Sequence, residues 1–222
     1  PTQFGPTEDF ERYPRDLDLD RRLCHEAGVD LLFVPESDAI YAADASVSLI
    51  ERELSLGLCG GSRPGHFDGV VTVVAKLFNL VLPEVAIFGQ KDAQQLAIIR
   101  RLVRDLNIPV RIVAGPIVRE ADGLAMSSRN RYLSATHRAQ APALYAALHN
   151  IQTAARTGSL SPSLCHERIA KELAEQAPDL VLEYVVLCES GTLRSQAETA
   201  AGSLIAVAGR LGSTRLIDNV LV

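Results

Sequence analysis

No apolar run in this 222-residue chain approaches the roughly 20 residues that span a bilayer, so no membrane partner is expected. An excess of basic residues is missing too. Lys and Arg number 22 against 27 Asp and Glu, a net charge of −5, with a pI near 5.6. That balance argues against a general nucleic-acid or membrane-surface binder. Cys24, Cys59, Cys165 and Cys188 are scattered without CxxC or Cys/His ligand spacing, which reads as free thiols in a reducing compartment rather than a zinc site. There is no internal repeat, low-complexity tract, Ser-His-Asp set, paired-carboxylate arrangement or metal-binding His cluster. No signal-peptide pattern opens the chain, so the expected location is cytoplasmic. The start lacks both Met and an introductory strand: Pro1 leads into the turn-rich TQFGPTEDF, and the numbering is expected to begin inside a longer protein.

What is present suffices for a core, with 47% apolar residues. Leu19, Leu23 and Ala27 recur every four residues amid charge, predicting an amphipathic helix over Arg15 to Ala27. Asp18 and Asp20 stand in its first turn, opposing the macrodipole. Val29 to Val34 (VDLLFV), between Gly28 and Pro35, reads as a buried parallel strand. Glu36 to Ser46 reads as loop or short helix, and Val47 to Ile50 as a weaker strand. In Leu58 to Gly69 (LCGGSRPGHFDG), four glycines and Pro64 argue against regular helix, so a shaped loop is expected, then a long apolar helix over Val70 to Leu82. Val85 to Phe88 reads as a buried strand ending in Gly89. Asp92 stands where an N-cap belongs, with Gln95 at capping-box spacing, and Leu96, Ile99, Leu102, Val103 and Leu106 form the core stripe of a helix to Asn107. Val110 to Val113 is the next strand. Such alternation is expected of a parallel sheet with crossover helices.

The pattern changes after Pro116. A turn at Ala121 to Gly123 and a loop at Met126 to Arg129 precede an Ala-rich helix over about Ala135 to Thr157 and a second over Pro162 to Gln176. Three strands follow, at Leu182 to Leu187, Leu204 to Leu211 and Thr214 to Val222. Helices followed by antiparallel strands predict a small α+β domain, giving units 1–118 and 119–222. His25, His137, His149 and His166 fall on helices among polar residues and are expected to be exposed.

Three polar loops carry the candidate chemistry. Lys91 and Asp92 lie at the C-terminal edge of a strand, where open α/β sheets bind ligands and helix N-termini favour anions. Arg63 and His66 put a fixed cation beside a switchable one. Ser127, Ser128 and Arg129 offer hydroxyls, amides and a planar fork suited to a polyanion. Each also fits a plain structural role: a βα turn with a solvated lysine, a Gly-rich surface connection, a helix cap. Together they would suit a triphosphate and a small polar substrate.

PTQFG, SRPGHFDGV, FGQKDAQQL, VREADGLAMSSRNRYLS and RLGSTRLIDN, in order from Pro1 to Val222, closely resemble the pantothenate synthetase (pantoate–β-alanine ligase) family. The resemblance implies a Rossmann-like parallel sheet of the nucleotidyltransferase and class I synthetase type, followed by the α+β domain as a lid. It implies ATP-dependent ligation of pantoate and β-alanine through pantoyl adenylate, releasing AMP and pyrophosphate, with Mg2+ on the phosphates and a homodimeric assembly. By similarity, Gly89, Gln90, Lys91 and Asp92 contact ATP, with Lys91 on the phosphates and Asp92 near the ribose. Val118 offers backbone contacts to the adenine, and Met126 to Arg129 is the counterpart of the synthetases' mobile Lys-Met-Ser-Lys-Ser loop, closing on the phosphates. Gln3 and Gln95 would hold pantoate, Arg63 and His66 resemble a site loop of the family, and Asp20 is a weaker metal candidate. Cys59 and Gln90 stand where acidic residues are common in the family. The family's first strand and helix, with a His-x-Gly-His phosphate motif and an Asn ahead of it, are expected before Pro1; without those histidines the 222 residues should bind ATP weakly. An inactive fragment of this enzyme and another nucleotidyltransferase of the same fold are the alternatives.

Overall fold

Two sheets organise the chain, one parallel and one antiparallel. The computed structural model describes residues 2–5, 10–11 and 13–222; the turn-rich opening expected over Pro1 to Phe10 lies partly outside them. Helix α1 (Leu17–Glu26) begins where Asp16 accepts the amide of Leu19 at 2.9 Å, the capping that Asp favours. Short α2 (Ser37–Ile40) and α3 (Leu58–Ser62) precede the long α4 (His66–Val81). Strand β1 (Val85–Gly89) passes through a 3-10 turn (Gln90–Asp92) into α5 (Ala93–Asp105), which returns the chain to β2 (Arg111–Gly115). β1 and β2 pair in parallel, Val85 opposite Arg111 through Gly89 opposite Gly115. Phe67, Val70, Val74 and Phe78 of α4 pack against Ile98, Ile99 and Leu102 of α5 to form this unit's core.

Several expectations fail here for identifiable reasons. Val29 to Val34 forms no strand and Leu31 is 83% exposed; an apolar run becomes a strand only where another strand takes its backbone groups, and none of the described residues does. Val47 to Ile50 is likewise no strand, the amide of Leu49 going to the Thr72 hydroxyl at 2.9 Å. The Gly-rich stretch is largely helical, in α3 and the first turn of α4. Its glycines serve close approach instead of interrupting helix: a Cβ on Gly60 would strike the Ser55 carbonyl, and one on Gly69 the Thr2 carbonyl. β1 alternates exposed and half-buried positions and is not a buried strand. Leu106, expected in the core stripe, is half exposed at the C-cap of α5.

A second 3-10 segment (Ser128–Tyr132) leads to α6 (Ala135–Gln140), α7 (Ala143–Thr157) and α8 (Pro162–Gln176). The single helix expected from Ala135 to Thr157 is thus two, divided at Pro142, which has no amide to continue the ladder. α8 starts as its sequence predicts, with Ser161 accepting the Leu164 amide and Pro162 in the first turn. β3 (Leu180–Glu189), β4 (Ser203–Leu211) and β5 (Thr214–Leu221) form an antiparallel sheet in that order. Leu144 and Leu148 of α7, Ile169 of α8, and Ile205 and Val207 of β4 share one core. His25, His149 and His166 are exposed, whereas His137 is half-buried beside Gly212 at the β4–β5 turn. No helix of the described residues is long and apolar enough to cross a membrane.

Candidate functional site

A cavity of about 1090 Å3 opens at the C-terminal end of β1 and reaches across to β5, at the upper end of the size common for small-molecule sites. Lys91 and Asp92 form part of its wall because β1 ends at Gly89 and the following 3-10 turn swings both side chains out of the sheet. Asp92 occupies the N-cap position of α5 yet makes no side-chain capping bond, so the capping box predicted with Gln95 does not form. Both side chains line the cavity instead. Burial is the main influence on Lys91 and holds its pKa below the ordinary lysine value; Asp92 and Asp218 oppose that shift, and Arg129 adds to it. The charges of the C-terminal half are therefore felt at the lysine of the N-terminal half.

The second wall comes from α3 and α4. The His66 Nδ1–H donates to the Gln3 carbonyl at 2.6 Å, and Arg63 donates to the same carbonyl at 3.1 Å and to His66 Nε2 at 2.9 Å. A carbonyl can only accept and a guanidinium can only donate, so these partners assign the ring hydrogen to Nδ1. Arg63 and His66 thereby hold the segment that brings Gln3 to the cavity, and Gly69 lets that segment cross α4. Buried Gln94, unforeseen in the sequence, fixes the other side of the Gly-rich stretch: its amide donates to the carbonyls of Leu54 and Gly57, and its oxygen accepts the Gly60 amide.

The third wall is the Met126 to Arg129 loop. Ser127 caps the 3-10 segment through the Arg129 amide, and Asn130 ties it down to Glu120 and the Ala125 carbonyl. The Ser128 hydroxyl donates to Tyr13 Oη at 3.2 Å, and the Arg129 guanidinium lies 5.6 Å from the Tyr13 ring centre. Arg138 pairs with Glu120 and Asp122 at 2.6 Å each; the Asn130 hydrogen bond first, and then Arg138, hold the Glu120 carboxyl below the usual carboxylate range, and Arg138 does the same for Asp122.

Of the residues singled out from sequence, Gln3, Arg63, His66, Lys91, Asp92, Gln95, Met126, Ser127, Ser128 and Arg129 share this one cavity. Gly89 and Gln90, also singled out, are not among the residues that line it. Val118 is exposed, and its carbonyl already accepts the Met126 amide at 3.0 Å. Asp20 lies on α1, exposed and outside the cavity lining. Among the described residues no three His, Cys, Asp or Glu side chains converge to hold a metal ion.

The sequence reading missed the contribution of β5. Arg215 lines the cavity, donates to Glu183 at 2.7 Å and to the Cys59 sulfur at 3.5 Å, and leaves its Nη2 buried without a partner among the described residues. Asp218 and Asn219 also face the cavity. Their one available signal was RLGSTRLIDN, in which charged and amide residues interrupt an otherwise apolar strand.

Residues 1–221 match the Pantoate-beta-alanine ligase family. The chain is 51% identical to the pantothenate synthetase of Geobacillus kaustophilus (strain HTA426), across all of this chain and 74% of that one. Its structure resembles that of the pantothenate synthetase from Thermus thermophilus, with a TM-score of 0.93 and 46% identity over all of this chain and 80% of the other. A pantoate–beta-alanine ligase from Francisella tularensis, solved in complex with beta-gamma ATP and beta-alanine, aligns with a TM-score of 0.77 and 30% identity over all of this chain and 76% of the other.

Proposed function

The chain belongs to the pantoate–β-alanine ligase family, and we propose that it joins pantoate to β-alanine using ATP, through pantoyl adenylate. In the first step the pantoate carboxylate attacks the α-phosphorus, a P–O bond forms, and the bond to the leaving pyrophosphate breaks. In the second, the free amine of β-alanine attacks the acyl carbon, AMP departs, and the nitrogen loses its proton. The observation that carries this reading is the convergence of Lys91, the Ser127 to Arg129 loop and Gln3 with Gln95 on one cavity.

Negative charge grows on pyrophosphate in the first step, so preorganised cations at Lys91 and Arg129 lower the barrier where charge develops. Ser127 and Ser128 would donate to the same phosphates. Gln3 and Gln95 would orient pantoate, whose alignment on the α-phosphorus supplies much of the remaining acceleration. Gly89 meets nothing within 4 Å of where a Cβ would be, which leaves room for the nucleotide to approach the backbone; Gln90, Asp92 and Val118 would lie along its ribose and base. Mg2+ would travel with the nucleotide phosphates. The division at 118/119, homodimeric assembly and cytoplasmic location are parts of the same proposal.

AMP release tests it, in the 222 residues and in the same chain joined to the part of the Thermus relative that the match leaves uncovered. AMP that requires both pantoate and β-alanine supports the ligase. Turnover with another acid and not with pantoate identifies a different nucleotidyltransferase, and AMP only from the joined chain identifies the 222 residues as an inactive portion of the ligase. Silence from both overturns the reading. In the active form, Lys91→Ala is expected to slow adenylation by about 10²-fold or more, on the scale of losing one preorganised donor; unchanged adenylation would remove Lys91 from the role given it.

A further inference from the structure

We propose that Asn219, on the last strand of the C-terminal sheet, is a positioning residue for Lys91. This inference rests on the phosphate-binding role given to Lys91 above. The Asn219 side-chain amide donates to the Gln90 carbonyl and to the Lys91 carbonyl, each at 3.0 Å. Those carbonyls belong to the peptide units before and after the Lys91 Cα, so the two bonds fix both backbone planes from which the lysine side chain departs. The Gln90 side-chain Nε2 answers by donating to Asn219 Oδ1 at 3.3 Å, which sets the orientation of the Asn219 amide.

Asn219 is itself held rigidly. It is 3% exposed, and its backbone amide donates to Asp218 Oδ1 at 2.8 Å. Asp218, equally buried, accepts a bidentate pair from Arg119 at 2.6 and 3.0 Å. Arg119 donates to the Gly123 carbonyl and lies 3.6 Å over the Tyr145 ring. A rigid strand thus grips a short 3-10 turn from a distant part of the chain. The chemistry is specific to Asn at this length: Asp would set a carboxylate against two carbonyls, and Leu would offer no donor.

The effect is expected in rate more than in binding, because a small misplacement of a charged group costs most where charge develops. Asn219→Ala and Asn219→Asp should each lower kcat of pyrophosphate formation by about tenfold to a hundredfold, with the KM for β-alanine unchanged. Combined with Lys91→Ala, Asn219→Ala should cost nothing further, since a residue acting through Lys91 has nothing left to position. An independent readout is acetic anhydride labelling of Lys91, followed by peptide mass spectrometry against Lys76 and Lys171, the other two lysines. Asn219→Ala should change the Lys91 rate relative to those two. Parent-like kinetics and labelling in both variants would overturn the proposal, as would an equal loss in the Lys91→Ala background, which signals a general structural role. Should these variants not fold, Gln90→Leu, which removes the bond orienting the Asn219 amide, is expected to change the Lys91 labelling rate in the absence of nucleotide, where a ribose contact of Gln90 plays no part, and overturns the proposal if it does not. Failure of both parent forms, the 222 residues and the joined chain, to release AMP would refute the ligase reading, while the labelling comparison would still decide the positioning role.

Discussion

The two sheets differ in how fully they are covered, and the difference separates what holds the molecule together from what would act on substrate. β4 is buried at every position but Arg210, lying between two partner strands with α7 and α8 across one face. β1 has one partner among the described residues and leaves Ile87 71% exposed. Yet the turn after β1 presents Lys91, and β5 reaches back to hold that turn. Chemistry placed on a thinly covered element is thus framed by the better packed one, which is how precise sites are kept within reach of substrate without burying them.

Truncations sharpen that contrast. Leu148→Ala removes a side chain with no exposed surface from the centre of the C-terminal core, and should lower unfolding free energy by about 3–4 kcal/mol in a denaturant titration. A loss under about 1 kcal/mol would show that this core collapses around the gap. Asp218→Ala comes next, at about 3 kcal/mol, because it strands Arg119 with a largely desolvated charge. Asp218→Ala should also slow adenylation by releasing Asn219, whereas Leu148→Ala should leave kcat near that of the parent below its melting temperature. Equal kinetic losses in the two variants would break the distinction between frame and core.

Legibility in the sequence followed the same division. Where periodicity and punctuation act locally the elements agree closely: Ser161-Pro162 opens α8, and the β3 to β5 runs lie within two residues of their predicted ends. Lys91, Arg63, His66 and the Ser127 to Arg129 loop also proved to share one cavity. The failures were tertiary. VDLLFV has the composition of a strand without a partner to make it one, and Gly60 and Gly69 looked like helix breakers when they are close-packing positions. Arg215, Asp218 and Asn219 could not be placed, because whether a polar residue on a strand meets solvent or a site 128 residues away in sequence depends on how the sheets meet.

Ile87→Ala is the counterpart of Leu148→Ala on the open strand. It deletes a comparable amount of side chain from a mostly exposed position, so stability should change by no more than about 0.5 kcal/mol. A loss of 2 kcal/mol or more would mean that the β1 face is covered in solution.

The finest test concerns Lys91 itself. Burial, the largest influence, lowers its pKa below the ordinary 10.5, against the pull of Asp92 and Asp218. Between the folded and unfolded pKa values the unfolded chain binds more protons at this site, so its contribution to stability rises with pH through that window, and below it the buried cation carries its full desolvation cost. The labelling rate of Lys91 as a function of pH should therefore have its midpoint under 10.5. Asp218→Asn, which removes a carboxylate that favours the cation, should move the midpoint lower still, and ATP should move it upward because phosphates favour the charged amine. A midpoint unmoved by Asp218→Asn would mean that β5 fixes the lysine's backbone without acting on its charge, separating the two ways in which one sheet could serve the other.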